Sequence, residues 1–208
     1  MNKDELKTML EQHRLWLEDN NSGKRANLQY ADLQYASLQY ADLRGANLQR
    51  ADLEGADLRY ASLQYADMRG ANLQYADLQY ADLEGADLRY ASLQYADMRG
   101  ANLQYADLQY ADLEGADLRY ADLDYSSLPL WCGSKGMKVD RRIAAQIAAH
   151  FCALDCDDAD YQTAREAILE FARTSHRAVD LGLLEGQDDK SSNDTQKETF
   201  VYGKGSKK

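Results

Sequence analysis

The chain has 208 residues, with 35 acidic against 24 basic side chains and a formal net charge of −11. Such a surface repels phosphates, so direct nucleic-acid binding is not expected. No apolar run is long enough to cross a membrane, Met1 to Asn20 is charged rather than built as a cleavable signal, and three cysteines form no disulfide framework, which points to a soluble, cytoplasmic protein in a reducing compartment.

Asn2 to Asp19 reads as an amphipathic helix. Asn2 followed by Glu5 fits a capping box, in which each side chain takes the other residue's backbone N–H. Leu6, Met9, Leu10, His13, Trp16 and Leu17 form one stripe at helical spacing. His13 lies on that apolar side and is expected to be packed rather than to act as a ligand. The stripe suits a lid folded back through the polar linker Asn20–Lys24, or a helix that docks on a partner. Residues 1–25 are read as an N-terminal helical cap and linker.

From Ala26 a five-residue unit repeats without a break. Ala26-Asn27-Leu28-Gln29-Tyr30 is followed by Ala31-Asp32-Leu33-Gln34-Tyr35, and twenty such units run to Tyr125, with Ser126–Leu130 a degraded twenty-first. Period five fits neither a helical stripe nor an uninterrupted strand, where an odd period would flip each residue type to the other face at every repeat. The pattern requires one bend per unit. Ala and Leu, two apart, then point together into an interior, Asp or Asn between them points out, and the last two residues turn the corner. The third position is Leu throughout except at Met68 and Met98, so a tube of uniform width is expected.

The A(D/N)LXX unit resembles that of the pentapeptide-repeat family. The resemblance implies an all-β solenoid, a right-handed quadrilateral β-helix of about five coils over residues 26–130, with α-helical caps at both ends. Leu10–Leu17 before the repeat and Leu128-Pro129-Leu130-Trp131-Cys132-Gly133-Ser134 after it are similar to the flanking segments of bacterial and prophage members. A solenoid needs such caps, because an end coil otherwise presents an open strand edge and a bare leucine layer.

A second periodicity is superimposed on the first. Residues 51–80 recur identically as 81–110, the mark of duplication, natural or engineered. Thirty residues is one and a half coils of twenty, so each copy falls on the opposite side. The Tyr-Tyr-Gly rhythm at the fifth position is also out of step with four sides. No face should therefore carry an unbroken tyrosine ladder, and a defined small-molecule site is not expected.

Charge, by contrast, sorts by face. With twenty-residue coils, Asp32, Asp52, Glu54, Asp112 and Glu114 share one face that has no base. The opposite face carries Asp42, Asp82, Glu84, Asp122 and Asp124 against Arg44 alone. A third face stacks Asp57, Asp77, Asp97 and Asp117, with Arg59, Arg99 and Arg119 two residues on, and the fourth balances to zero. The two acidic faces are the candidate partner-binding residues. Seventeen acids against seven arginines over Ala26–Tyr125, spread over about 24 Å, put one net charge every ~2.4 Å, against about 1.7 Å for duplex DNA. Some members of the family, the quinolone-resistance pentapeptide proteins, mimic DNA and bind type II topoisomerases. The plainer reading is that Asp at the second position bonds backbone at each corner and keeps the rod soluble.

Pro129 ends the repeat because it cannot donate to another rung, and Leu130 with Trp131 supplies bulk over the last coil. Asp140–Leu154 is predicted helical with Ile143, Ile147 and Phe151 on one side. A second helix capped by Asp158 or Asp160 runs to about Ser175 with Ala164, Ile168, Phe171 and Ala172 inward. This C-terminal hairpin, residues 131–184, covers the solenoid's end, a second copy of the chain in a homodimer, or both. Residues 185–208 read as a polar, flexible tail.

Catalytic chemistry is not expected, since Ala26–Tyr125 holds no His, Cys or Lys, and Ser37, Ser62 and Ser92 have no base in reach. No cofactor is implied, because the glycines occupy single corners rather than a phosphate-cradling loop. Cys132, His150, Cys152 and Cys156 are of types that bind zinc but lack a zinc-finger spacing, and buried reduced cysteines explain them more simply. The expected function is a non-catalytic scaffold or protein-binding rod. The alternative is a DNA mimic acting on gyrase or another DNA-binding protein.

Overall fold

In the computed structural model, residues 1–19, 21–129, 135–153, 156–176, 178–180 and 183–184 are described. The predicted cover of the last coil by Leu130 and Trp131, residue Cys132, and the tail beyond residue 184 lie outside them.

The five-residue unit forms the expected bend. Ala31 N–H donates to Leu28 C=O at 3.0 Å, closing a four-residue turn around Gln29 and Tyr30. Its third residue, Tyr30, has φ 58°, the left-handed conformation that a type II turn requires there. Every later fifth position to Tyr125 repeats it, whether Gly, Tyr or, at residue 50, Arg. A side chain in that region costs on the order of 1 kcal/mol, and the corner's neighbours offset it. In each unit from Ala26 to Tyr105 the third and fifth N–H groups donate to the coil above, as in Leu28 to Asn47 C=O (2.7 Å) and Tyr30 to Gln49 C=O (3.0 Å). The second N–H of that coil returns a bond, Asn47 to Ala26 C=O at 3.0 Å.

These bonds fix the register. Parallel bridges join residues twenty apart from Asn27↔Asn47 to Asp107↔Ser127, each a single-residue rung with no longer strand among the described residues. Four units therefore complete one coil. Inside, third-position Leu and Met from Leu28 to Leu123 are 0–3% exposed, and the first-position alanines from Ala46 to Ala121 are equally buried. Burying each leucine contributes roughly 1.5–3 kcal/mol, and the next coil continues the column above it.

Helix α1 spans Lys3–Glu18, with Asn2 as N-cap and the capping box formed: Glu5 N–H donates to Asn2 Oδ1 (2.8 Å), and Asn2 N–H to Glu5 Oε2 (3.1 Å). Leu6, Met9 and Leu10 pack against the leucine core at its first coil. The Met1 ammonium donates to Asp32 C=O at 3.0 Å. His13 is fully buried, accepts the Ala26 N–H on Nδ1 (3.1 Å) and stacks on Trp16 at 5.4 Å.

Burial holds the His13 pKa below its ordinary 6.5. The unfolded chain then takes up a proton below about pH 6.5 that the folded chain resists, so stability is full above that pH and declines as pH falls further. His13→Gln is expected to flatten this dependence between pH 7 and 5, read from melting temperatures. An unchanged slope would mean that the junction of α1 with the first coil does not sense the histidine.

At the other end, Lys138 bridges Asp117, Gly115 N–H donates to Lys135 C=O (3.0 Å), and Met137, Val139 and Ile143 pack on the core. Helix α2 spans Arg141–Cys152, with Asp140 as N-cap, and α3 spans Ala159–Ala172, with Asp158 as N-cap. Their inward faces differ from the sequence reading. Ile143 is buried, but Ile147 is 39% exposed and Ala164 is exposed, while Ala145, Gln146, Ala149 and Cys152 are buried. Ile143 joins the solenoid core, whereas Ala149 and Cys152, on the other side of α2, form a second cluster with Ala172 of α3, so beyond its first turn α2 buries the side away from Ile147.

Candidate partner-binding faces

The outer surface is built on the second-position side chains. Every second-position aspartate from Asp32 to Asp122 accepts, on Oδ1, the backbone N–H two residues on, at 3.0–3.4 Å. Asn27, Asn47, Asn72 and Asn102 make the same bond. The carboxylate thus orders the corner that follows it. Its second oxygen is left to face a neighbour, and the neighbour's identity divides the rod into two kinds of face.

On one kind the neighbour is arginine. Arg59 forks onto Asp57 through Nε (2.9 Å) and Nη2 (2.7 Å) and lies 3.5 Å from Asp77 of the next coil. Arg99 and Arg119 repeat the fork on Asp97 and Asp117 of the same face. On the adjacent balanced face, Arg69 and Arg89 hold Asp67 and Asp87 and reach Asp87 and Asp107, each at 3.5 Å. The guanidinium beside each holds the Asp57, Asp67 and Asp117 carboxyls below the usual carboxylate range. These arginines are two-fifths exposed, so each pair adds little stability; its effect is to cancel charge.

On the other kind the neighbours are neutral amides. The bridges carry one face through Asp32, Asp52, Asn72, Ser92 and Asp112, and the opposite one through Asp42, Ser62, Asp82, Asn102 and Asp122. Asp52 accepts from Gln34 Nε2 (2.7 Å) and Asn72 Nδ2 (3.0 Å), and Asp112 from Gln94 (2.9 Å). Asp82 accepts from Gln64 and Asn102, and Asp122 from Gln104. Glu54, Glu84 and Glu114 stand where the other faces carry arginine. Amides satisfy these carboxylates without neutralising them. Arg44 forks onto Asp42 and lowers its pKa, so that predicted residue is partly compensated, and Asp124 meets His176 Nε2 at 2.8 Å.

The glutamine-to-aspartate bonds were not part of the sequence reading. Their signal is an eighteen-residue offset, a fourth position facing the second position one coil up, visible only once the coil length is known. Among the described residues no His, Cys, Asp and Glu group could hold a metal ion. Cys152 is buried, its thiol pKa pushed up by burial, and Cys156 is half-buried; neither forms a disulfide among the described residues. No helix among the described residues is long and apolar enough to cross a membrane.

The family model for pentapeptide repeats matches residues 26–64, 36–74, 66–104 and 96–129, together half of the chain. The chain belongs to the pentapeptide repeat family. The architecture is accordingly the family's right-handed quadrilateral β-helix. Among solved pentapeptide repeat structures, HetL from the cyanobacterium Nostoc sp. strain PCC 7120, a protein involved in regulating heterocyst differentiation, is 33% identical, covering 56% of this chain and 58% of HetL, with TM-score 0.31. A second Nostoc pentapeptide repeat protein, alr5209, is 34% identical over 61% of this chain and 93% of its own, with TM-score 0.21. QnrB1, a plasmid-mediated fluoroquinolone resistance protein, is 18% identical over 64% of this chain and 76% of its own, with TM-score 0.29. The chain thus spans under two thirds of HetL. No curated protein matches it in sequence.

Proposed function

We propose that this pentapeptide repeat solenoid is a non-catalytic, protein-binding rod of about five coils, working in the cytoplasm. The observation that carries this reading is its outer surface: flat faces of hydrogen-bonded amides and carboxylates edged by exposed tyrosines, whose polar groups are committed to the turns they order. Such a surface offers contact area and aromatic anchors rather than a place for chemistry. In this reading residues 1–25 cap one end, and the hairpin within 131–184 covers the other or pairs with a second copy.

A second reading is favoured by the sorting of charge. Negative potential is concentrated on two opposed faces while arginines cancel it on the other two, as a rod acting in place of DNA on gyrase, or on another DNA-binding protein, would require. A supercoiling assay, titrating the protein at low and moderate salt, separates the two. Its companion is the variant Asp32→Asn, Asp52→Asn, Glu54→Gln, Asp112→Asn, Glu114→Gln. Asparagine already makes the turn bond at Asn72 and Asn102 (3.2 and 3.1 Å), so each change is expected to alter stability by less than roughly 0.5 kcal/mol. Inhibition that fades with salt and in the variant establishes the mimic and overturns the scaffold. No inhibition at micromolar protein leaves the rod, whose partner is then sought by affinity capture in moderate salt.

A further inference from the structure

The fifth-position side chains form four columns, one at each corner, and within them tyrosines of successive coils stack face to face. Tyr90 and Tyr110 lie 4.9 Å apart at 5°, and Tyr105 and Tyr125 4.9 Å apart at 4°. Tyr75 and Tyr95 stack at 5.3 Å, and Tyr40, Tyr60 and Tyr80 make a three-high stack at 5.2 Å per step. All nine rings are about half or more exposed to solvent. The glycines cut these runs as the sequence rhythm requires: the Tyr80 ring lies over Gly100, at 2.6 Å from where a Cβ would sit.

The same lattice supplies its own controls. Tyr30, Tyr35, Tyr65 and Tyr120 have no tyrosine one coil above or below, their column neighbours being Arg50, Gly55, Gly45 and Gly85, and Gly100. Yet these four are 63–74% exposed, among the most accessible in the chain.

We propose that the stacked tyrosines are sites of oxidative modification, at which a peroxide turned over by a haem peroxidase couples successive coils as dityrosine. Each of two phenols gives up one electron and its hydroxyl proton, and the two electrons and two protons convert one hydrogen peroxide to two waters. The resulting phenoxyl radicals join through a new bond between Cε carbons beside the oxygens. The hydrogen on each joined carbon then moves to its oxygen, restoring both rings and both hydroxyls. What the fold contributes is proximity. The Tyr90 N–H to Gln109 C=O bond (3.2 Å) holds two backbones one rung apart, so two radicals meet without a bimolecular encounter. Each link closes a twenty-residue loop across one coil step, so oxidation converts a hydrogen-bonded ladder into a stapled one.

The experiment treats dilute full-length protein with hydrogen peroxide and a haem peroxidase, then reads dityrosine fluorescence, oligomeric state and cross-linked tryptic peptides. The expected result is a monomer that has lost two hydrogens per link, with Tyr90–Tyr110 and Tyr105–Tyr125 coupled at least about tenfold more than any pair involving Tyr30, Tyr35, Tyr65 or Tyr120. The product should melt ~5 °C or more above the starting protein. Tyr90→Phe keeps a stacking ring, and is expected to remove the first link and leave the second. Coupling only between molecules, or coupling ranked by exposure so that the four isolated tyrosines lead, overturns the proposal. So does an equal yield in urea, where the coils are apart.

Discussion

Leu83→Asp is expected to abolish the cooperative unfolding transition of the rod. Leu83 is fully buried, with Leu63 one coil below it and Leu103 one coil above, and its N–H is spent on Asn102 C=O at 2.7 Å. A carboxylate there would be surrounded by alanine and leucine, with no base in the interior to pair with. An unpaired buried charge costs several kcal/mol even after relaxation, against a total domain stability of only about 5–15 kcal/mol. The position magnifies the loss. Coils touch only their neighbours, so a failed coil near the middle uncouples the two halves, and each is then left with one uncapped end. Leu83→Ala, which deletes volume without adding charge, is expected to cost about 2–5 kcal/mol and to keep a single transition at lower temperature. Circular dichroism melts of the three proteins check the ordering. A Leu83→Asp rod that melts where the parent does would show that the third position does not point inward.

Removing residues 1–24 is expected to make the chain associate end to end beyond whatever state the full chain adopts. Leu28, Leu33, Leu38 and Leu43 are 0–3% exposed even though they form the first layer of the stack, and Leu6, Met9 and Leu10 of α1 lie against that layer. Without α1 the layer and the rung edge beside it face solvent together, the combination that invites strand pairing between molecules. The double variant Leu6→Lys, Leu10→Lys keeps the chain length and helix propensity but spoils the contact, so it tests the same idea if the truncated protein expresses poorly. Sedimentation velocity at several concentrations reads the outcome. A truncated chain that sediments as the full chain does, with an unchanged melting temperature, would mean that the first coil is stable uncovered, and that α1 is free for a partner.

How the rod stands relative to DNA mimicry depends on how charge is shared among its faces, which the fourth-position residues already sort along the sequence. Asp57 and Asp52 are both second-position aspartates bonded to their own corners, but Asp57 is followed two residues on by Arg59 and Asp52 by Glu54. In the coil, both receive an amide from the coil below, Asp57 from Gln39 and Asp52 from Gln34, but Asp57 is also forked by Arg59, whereas Asp52 adds only the Asn72 amide. The net charge of a face is therefore set by what stands at the fourth position two residues on and one coil away, and a total of −11 says nothing about it.

The amino-acid sequence by itself determined one bend per five residues and an inward Ala–Leu side, while the four sides and the right hand came from the resemblance to the family. A period of five can be met only by a chain that bends once per unit, and apolar residues two apart can share an interior only if the segment between bends is extended. The capping box at Asn2 and Glu5 was equally legible, because its two bonds are local. Four outcomes belonged to the tertiary structure: the amides that reach the aspartates from the next coil, the tyrosine stacks, the packing of α2 on α3 that leaves Ile147 exposed, and the bond from Ala26 N–H to His13. In each the deciding neighbour is far along the chain, at an offset of eighteen or twenty residues in the coils, or on an end surface that exists only after the coils have stacked. A local pattern can say which way a side chain points, but what it meets there is decided by packing.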